Sequence, residues 1–464
     1  MPTNSDDIAV VIARVSQRYD VSHAILLGMV AKLTGTAAMP PLARLERRLV
    51  RRIPNVQRLR AGLAQSVADE ALAGWRRAAA SAVDAGQFIE VDKALAQAEF
   101  HILAGAVDLA ELAPERRIAA GEMRALRGEV SKLGLTQQHA REAAQRFAEA
   151  VAIVGRSDPA CSHAFGLRQA NALILLAEEW SSQSDYEAAI AHLRQMLGQL
   201  DNFEDTIRWA EVQERLGVAL AGLGGLRGDR ALLHEAAACY RTALEDVRRE
   251  HDLPLWARLQ RHLGRLALEL GEAQDDRALI EEAVEALRAA SSVMERASDA
   301  PAWAAAQFDL GRALSALGRR SAGLADLEAA YNALNCAGQV WTRDVAPARW
   351  ADIQDRMGAV LATMGGSYNE TVVLEEAVAA FGRALEVRRR ETDLPAWASS
   401  MAGRAEATMQ LARRGKELGL AQQALSQLVE AMEAARGAGD AALAAALQTR
   451  LVAAGAMAQA LAGG

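Results

Sequence analysis

The chain has little of what secreted proteins and most enzymes are built from. Its 464 residues include only three cysteines, Cys161, Cys239 and Cys336, far apart and with no C-x-x-C pair. A disulfide framework or zinc knuckle is therefore not expected, and a reducing cytoplasm is the natural setting. Aromatic residues make up 4% of the chain against 51% hydrophobic overall, which leaves close-packed aliphatic helices and not a large aromatic core. The net charge of −7 comes from mixed signs, which argues against a general nucleic-acid binder. Gly-rich phosphate loops, H-E-x-x-H and nucleophile elbows are missing, and the eight histidines are scattered. No catalysis, cofactor or metal site is expected. The opening MPTNSDD lacks the basic start and apolar core of a secretory signal. Of the most apolar stretches, 24–31 is too short to span a membrane and 441–462 is interrupted by Gln448, Thr449 and Arg450.

What is present is a repeat. Trp209, Trp256, Trp303, Trp350 and Trp397 stand 47 residues apart. Gln213, Gln260, Gln307 and Gln354 keep the same interval, as do Gly217, Gly264, Gly311 and Gly358, and Gly224, Gly271, Gly318 and Gly365. A period of this size marks a solenoid, in which each unit buries its apolar face only against its neighbours.

Within a unit, Leu216, Gly217 and Leu220 form an L-G-x2-L step, and Ala236, Tyr240 and Ala243 form A-x3-Y-x2-A; Met357, Gly358, Leu361 with Ala377, Phe381, Ala384 repeat it. This resembles the tetratricopeptide repeat, in the elongated form found in kinesin light chains and many bacterial proteins. The resemblance implies an all-α, right-handed α-solenoid of stacked antiparallel helix pairs. The family repeat is about 34 residues, so about 13 are extra, and the spacing assigns them to the second helix and the turn before it. Asp252, Asp299 and Asp393, each two residues before a proline, read as N-caps of the first helix. Gly224, Gly271, Gly318 and Gly365 read as its C-terminal stop. The mid-helix glycine, Gly264 and its equivalents, costs about 1 kcal/mol in propensity and suits a close helix approach.

The expected organisation is a short helical N-terminal segment over 1–62, degenerate repeats over 63–208, regular repeats over 209–438 and a capping helix over 439–464. In the N-terminal segment, helices are expected over 6–18, 22–32 and 42–52. The last, with the residues after it, is basic. Arg44, Arg47, Arg48, Arg51 and Arg52 offer either an anion-binding surface or the polar face of a helix that caps the first repeat.

At 100° per residue, the stripe opposite the tryptophan on each first helix falls at Glu211, Glu214 and Val218 and their equivalents. The resemblance implies that this stripe lines a concave, peptide-holding groove. The candidate groove residues are then Arg258, Arg261, Arg265, an exposed Phe308, Arg312, Asp352 and Asp355, which would suit an extended segment with acidic then basic residues and one apolar anchor. The competing reading is a set of solvated helix faces paired with one another. No asparagine matches the carboxylate clamp of chaperone-binding members. The function expected is a protein-binding scaffold or adaptor. The alternative is a regulator whose basic N-terminal segment contacts nucleic acid.

Overall fold

The computed structural model describes residues 5–33, 40–106, 108–201, 204–296, 299–321, 323–367, 371–391 and 393–462. Among them every regular element is helical. Contacts divide the chain into two units, Met1–Val247 and Arg248–Gly464.

The first unit holds α1 (Ser5–Tyr19), α2 (His23–Ala31), α3 (Leu42–Leu63), α4 (Glu70–Asp84), α5 (Phe88–Leu103), α6 (Pro114–Lys132), α7 (Gln137–Val154), α8 (Pro159–Trp180), α9 (Gln183–Leu197), α10 (Thr206–Arg227) and α11 (Arg230–Asp246). From α4 on, consecutive helices pack in pairs, here called A and B, and each B helix packs on the next A helix. The second unit repeats this with α12 (Leu253–Gln274), α13 (Arg277–Val293), α14 (Ala300–Ser321), α15 (Leu324–Gly338), α16 (Pro347–Ser367), α17 (Val372–Leu385), α18 (Leu394–Gly415) and α19 (Leu418–Gly437), and α20 (Ala441–Ala462) closes it against α19.

Local chemistry starts the A helices where the sequence expects. Asp252 Oδ1 accepts from the Leu255 amide at 2.9 Å, Asp299 from Ala302 at 3.0 Å and Asp393 from Ala396 at 3.4 Å. Proline sits in a first turn that has no use for its missing N–H. The stop signals differ from expectation. Gly224, Gly271, Gly318 and Gly365 lie inside A helices that run to Arg227, Gln274, Ser321 and Ser367. The left-handed caps are Gly228 and Asp275. These glycines act by close approach: a Cβ on Gly271 would stand 2.8 Å from Ile280 Cγ1, and one on Gly318 the same distance from Leu327. The A helix, to which the spacing assigned none of the extra length, is the longer of the pair, 22 residues in α12 against 17 in α13. The mid-helix glycines do serve close packing, since a Cβ on Gly264 would meet Leu287 Cγ at 2.6 Å and one on Gly358 would meet the Phe381 ring at 2.8 Å.

The N-terminal helix expected to stop at Arg52 continues to Leu63 through Pro54. Burial of Leu45, Leu49, Ile53, Val56, Leu59 and Leu63 holds it in place despite the lost amide donor. α3 lies against α1, α4 and α6, so helices outside the repeat share one core with its first pairs.

Just after α2, Lys32 Nζ donates to the Val130 carbonyl at 3.2 Å and stands 5.4 Å from the centre of the Phe88 ring. Burial lowers its pKa from 10.5 to about 8, with Asp92 opposing the shift. Between those two values the unfolded chain binds more protons than the folded one, so stability rises with pH across that window. Lys32→Met removes the cost of the buried charge. The variant is expected to exceed the wild type in urea midpoint at neutral pH and to lose that advantage as the wild type deprotonates. A difference independent of pH would show that the charge is not what matters.

At the other terminus, α20 is the one described helix long and apolar enough to cross a membrane by length and composition, with a mean hydropathy of 1.4. The expected interruption falls in mid-helix and does not remove it from that class. Ala444, Leu447 and Ala454 are buried with α18 and α19 residues, and Arg450 pairs with Glu406 of α18. Its opposite face, including Val452, is exposed.

Candidate partner-binding face

In the second unit α12, α14, α16 and α18 lie side by side, and the candidate residues fall on them in register. Two positions of each helix keep access to solvent. One holds Arg258, Ala305, Asp352 and Ser399, and the other holds Arg265, Arg312, Ala359 and Glu406. The position between them, occupied by Arg261, Phe308, Asp355 and Ala402, faces the next A helix. Arg261 Nε donates to Asp309 Oδ2 at 3.1 Å, and Asp355 Oδ1 accepts from Ser400 Oγ at 2.6 Å.

Phe308 is accordingly not an exposed anchor. It is 8% exposed, belongs to the core of the unit, and meets Trp341 edge-on with centroids 6.1 Å apart. A stripe drawn for a single helix cannot tell open surface from the seam between neighbouring A helices. The acidic half is likewise spoken for. Arg388, beyond the end of α17, donates to Asp352 Oδ1 at 2.7 Å and pairs with Asp355 at 3.0 Å. Sequence reading missed this residue, and its only signal was the run Arg388-Arg389-Arg390.

The basic half is less evenly matched. Arg312 reaches a carboxylate only at 3.9 Å, on Asp309, which already holds Arg261. Arg265 is exposed, as is Arg356 on α16, a residue that the stripe analysis did not select. Neither Arg265 nor Arg356 has a hydrogen-bond or ion-pair partner among the described residues. Arg356 is open to solvent yet crowded by protein atoms. That desolvation, and next the charge of Arg312, lower its pKa below the usual arginine value.

The N-terminal arginines do not form the open anion-binding surface considered above. Arg52 is fully buried and grips Glu179 with both terminal nitrogens, one at 2.9 Å, while Arg51 pairs with Glu178 at 3.5 Å. Arg48 donates to the Leu135 carbonyl at 3.0 Å and stacks 4.7 Å from the centre of the Trp180 ring. The run Glu178-Glu179-Trp180 ends α8 and receives them. Arg44 and Arg47 remain exposed.

The repeated tryptophans are half-buried. Arg296, Arg343 and Arg390 stack on Trp303, Trp350 and Trp397 at 5.6, 5.7 and 5.5 Å. Each arginine precedes its tryptophan by seven residues, a second signal that the tryptophan register contained and the sequence reading passed over. In the first unit an open apolar cleft of about 570 Å³ is lined by Trp75, Ala96, Gln97, Phe100, His101 and Ala104.

What decides the class of repeat is the contact between the two helices of each pair. The glycine of each L-G-x2-L-type step receives the central side chain of its own A-x3-F-type step: Gly217 receives Tyr240, Gly264 receives Leu287, Gly311 receives Leu334 and Gly358 receives Phe381. The repeat is tetratricopeptide-like. No family model matches the chain, and no curated protein matches it. Among solved structures, this tetratricopeptide-like chain is similar to BtubC (BKLC) from P. vanneervenii, at 17% identity over 56% of this chain and 91% of that one, with a TM-score of 0.39. It is similar to a Rap protein complexed with competence and sporulation factor, at 13% identity over 84% of this chain and 98% of that one, TM-score 0.36. Human IFIT1, solved as a dimer with PPP-AAAA, gives 13% identity over 97% of this chain and 94% of that one, TM-score 0.36.

Proposed function

We propose that this chain is a cytoplasmic protein-binding scaffold or adaptor that holds a partner's extended segment or helix along the A-helix face of its second unit. The observation that carries this reading is the pair of in-register positions on α12, α14, α16 and α18, none of them buried, flanking a seam that is closed by Arg261–Asp309 and Asp355–Ser400. Helices locked side by side present a ribbed strip whose side chains change from unit to unit, and such a strip reads a sequence without needing chemistry of its own. The ion pairs of Arg48, Arg51 and Arg52 with α8 leave little for a nucleic-acid surface in the N-terminal helices.

The test blocks the strip without altering its charge. Ala305→Trp combined with Ala359→Trp fills both open positions on neighbouring helices. Cross-linked capture from native lysate is expected to recover a partner with the wild type and to lose it, by about tenfold or more, with the double variant at unchanged helical circular dichroism; tenfold is about 1.4 kcal/mol. Equal capture by the two would reject this face as the binding site.

A further inference from the structure

The seam between neighbouring A helices carries a polar contact at two places and an apolar residue at the third. Between α12 and α14 the cation Arg261 meets the anion Asp309 at 3.1 Å. Between α16 and α18 Asp355 accepts from Ser400 and pairs with Arg388. Each first member of these pairs belongs to the seam position of its helix. Arg356 stands to α14 as Asp309 stands to α12, 47 residues on. The position on α14 equivalent to Arg261 is Phe308, which offers no charge and is buried in the core.

Other cations gather around it. Arg312 is one turn beyond Phe308 on α14, and Arg265 is one turn beyond Arg261 on α12, so the Arg261–Asp309 contact brings Arg265 and Arg312 to adjoining helices at the same level. Of the four guanidiniums, Arg261 and Arg312 reach the carboxylate of Asp309, at 3.1 and 3.9 Å, while Arg265 and Arg356 pair with no carboxylate among the described residues. Of the nearby acids, Glu272 pairs with Arg319 at 3.3 Å and Asp355 with Arg388, while Glu269, one turn beyond Arg265 on α12, is exposed and forms no ion pair with it. The charge of Arg312 already lowers the proton affinity of Arg356, as mutual repulsion requires.

We infer that Arg265, Arg312 and Arg356 form an anion-recognition subsite that takes a short run of carboxylates from an acidic peptide segment. This rests on the reading of the A-helix face as the partner-binding strip and gives its basic part a ligand chemistry. Arginine suits the role because its planar fork bonds carboxylates in pairs. The extent of the patch favours a short acidic segment over a nucleic-acid backbone. Its positive stretch covers three helices and is bounded by Asp352, one turn before Arg356 on α16 with its side chain 42% exposed, and by Glu406 on α18, with 41% of its side chain exposed. A long polyanion following the strip would meet those carboxylates, whereas a few glutamates would not.

The test uses the full chain and three labelled probes read by fluorescence anisotropy at low ionic strength. One is a peptide with a short run of glutamates between glycines and serines, the second its glutamine counterpart, and the third a single-stranded oligonucleotide of matching charge. The glutamate peptide is expected to bind about tenfold or more tightly than the glutamine peptide, to weaken with added salt, and to lose that margin in an Arg265→Ala, Arg356→Ala variant of unchanged thermal melt. Arg296→Ala, on the Trp303 stack, is expected to leave binding unchanged. Equal binding of the two peptides, or full binding by the double variant, overturns the subsite. Tighter, variant-sensitive binding of the oligonucleotide overturns the peptide assignment. If the partner is lost on blocking Ala305 and Ala359 while no probe distinguishes glutamate from glutamine, the strip stands and only its acidic ligand falls.

Discussion

Arg52→Ala is expected to destabilise the first unit by about 3 kcal/mol, because it leaves the buried carboxylate of Glu179 with only the Arg48 guanidinium, 3.9 Å away. Both side chains are nearly sealed from solvent, at 0% and 3% exposure, and Arg52 Nη2 also reaches the Gly134 carbonyl at 3.5 Å. The loss should come from the poorly compensated charge more than from the bond itself, since taking two ions out of water offsets most of their attraction. A paired replacement separates the two contributions. Arg52→Met with Glu179→Leu should recover most of the loss, to within about 1–2 kcal/mol of the wild type. Urea unfolding followed by circular dichroism gives the totals, and hydrogen exchange at the C-terminal turn of α8 reports where they arise. A single variant indistinguishable from the wild type would mean that water reaches Glu179 once the guanidinium is gone.

The second large effect belongs to Phe147, fully buried and central to the A-x3-F step of α7. Its ring stands where a Cβ on Gly128 would be, 2.9 Å from Cε1, and the Lys132 ammonium lies 5.8 Å from its centre. Phe147→Ala should cost about 3–5 kcal/mol by opening a cavity that a backbone already in contact cannot close. Phe147→Leu should cost less, because leucine fills the same place in the pairs Gly264–Leu287 and Gly311–Leu334. Chemical denaturation of the three proteins orders them; equal losses for alanine and leucine would show that the ring is not packed as described.

The 47-residue interval made the helix pairs, their N-caps and their glycine contacts legible, because all of these depend on neighbours within a single unit. The aspartate caps, the Gly264 class of close approach and the Ala–aromatic steps fall where spacing alone put them. What the spacing could not supply was any relation between one unit and the next. Within the unit the helix stops were misplaced, because Gly271 makes room for Ile280 of the paired helix and does not end its own. Phe308 was taken for open surface because only the neighbouring helix makes its position a seam. Arg388 was hidden differently, since it folds back from the end of α17 onto Asp352 and Asp355 of its own pair, 36 residues from Asp352 in sequence, and Arg356 went unread because it lies one position off the stripe. In the N-terminal segment the basic run was plain. Its acidic counterpart, Glu178 and Glu179, lies more than a hundred residues away in sequence and no local pattern joins the two.

The glycine contacts also bear on how the chain acquires its structure. Gly217 with Tyr240, Gly264 with Leu287, Gly311 with Leu334 and Gly358 with Phe381 are each separated by 23 residues, and none requires a neighbouring unit to be present. Loop closure over so short a span is fast, and chains dominated by local contacts fold quickly. Each hairpin can therefore take shape soon after its second helix leaves the ribosome, with the inter-unit ion pairs added as the next hairpin arrives. Synthesis would then set the order of assembly from the N-terminus, and a stalled chain would carry finished hairpins with one unmatched seam at its growing end.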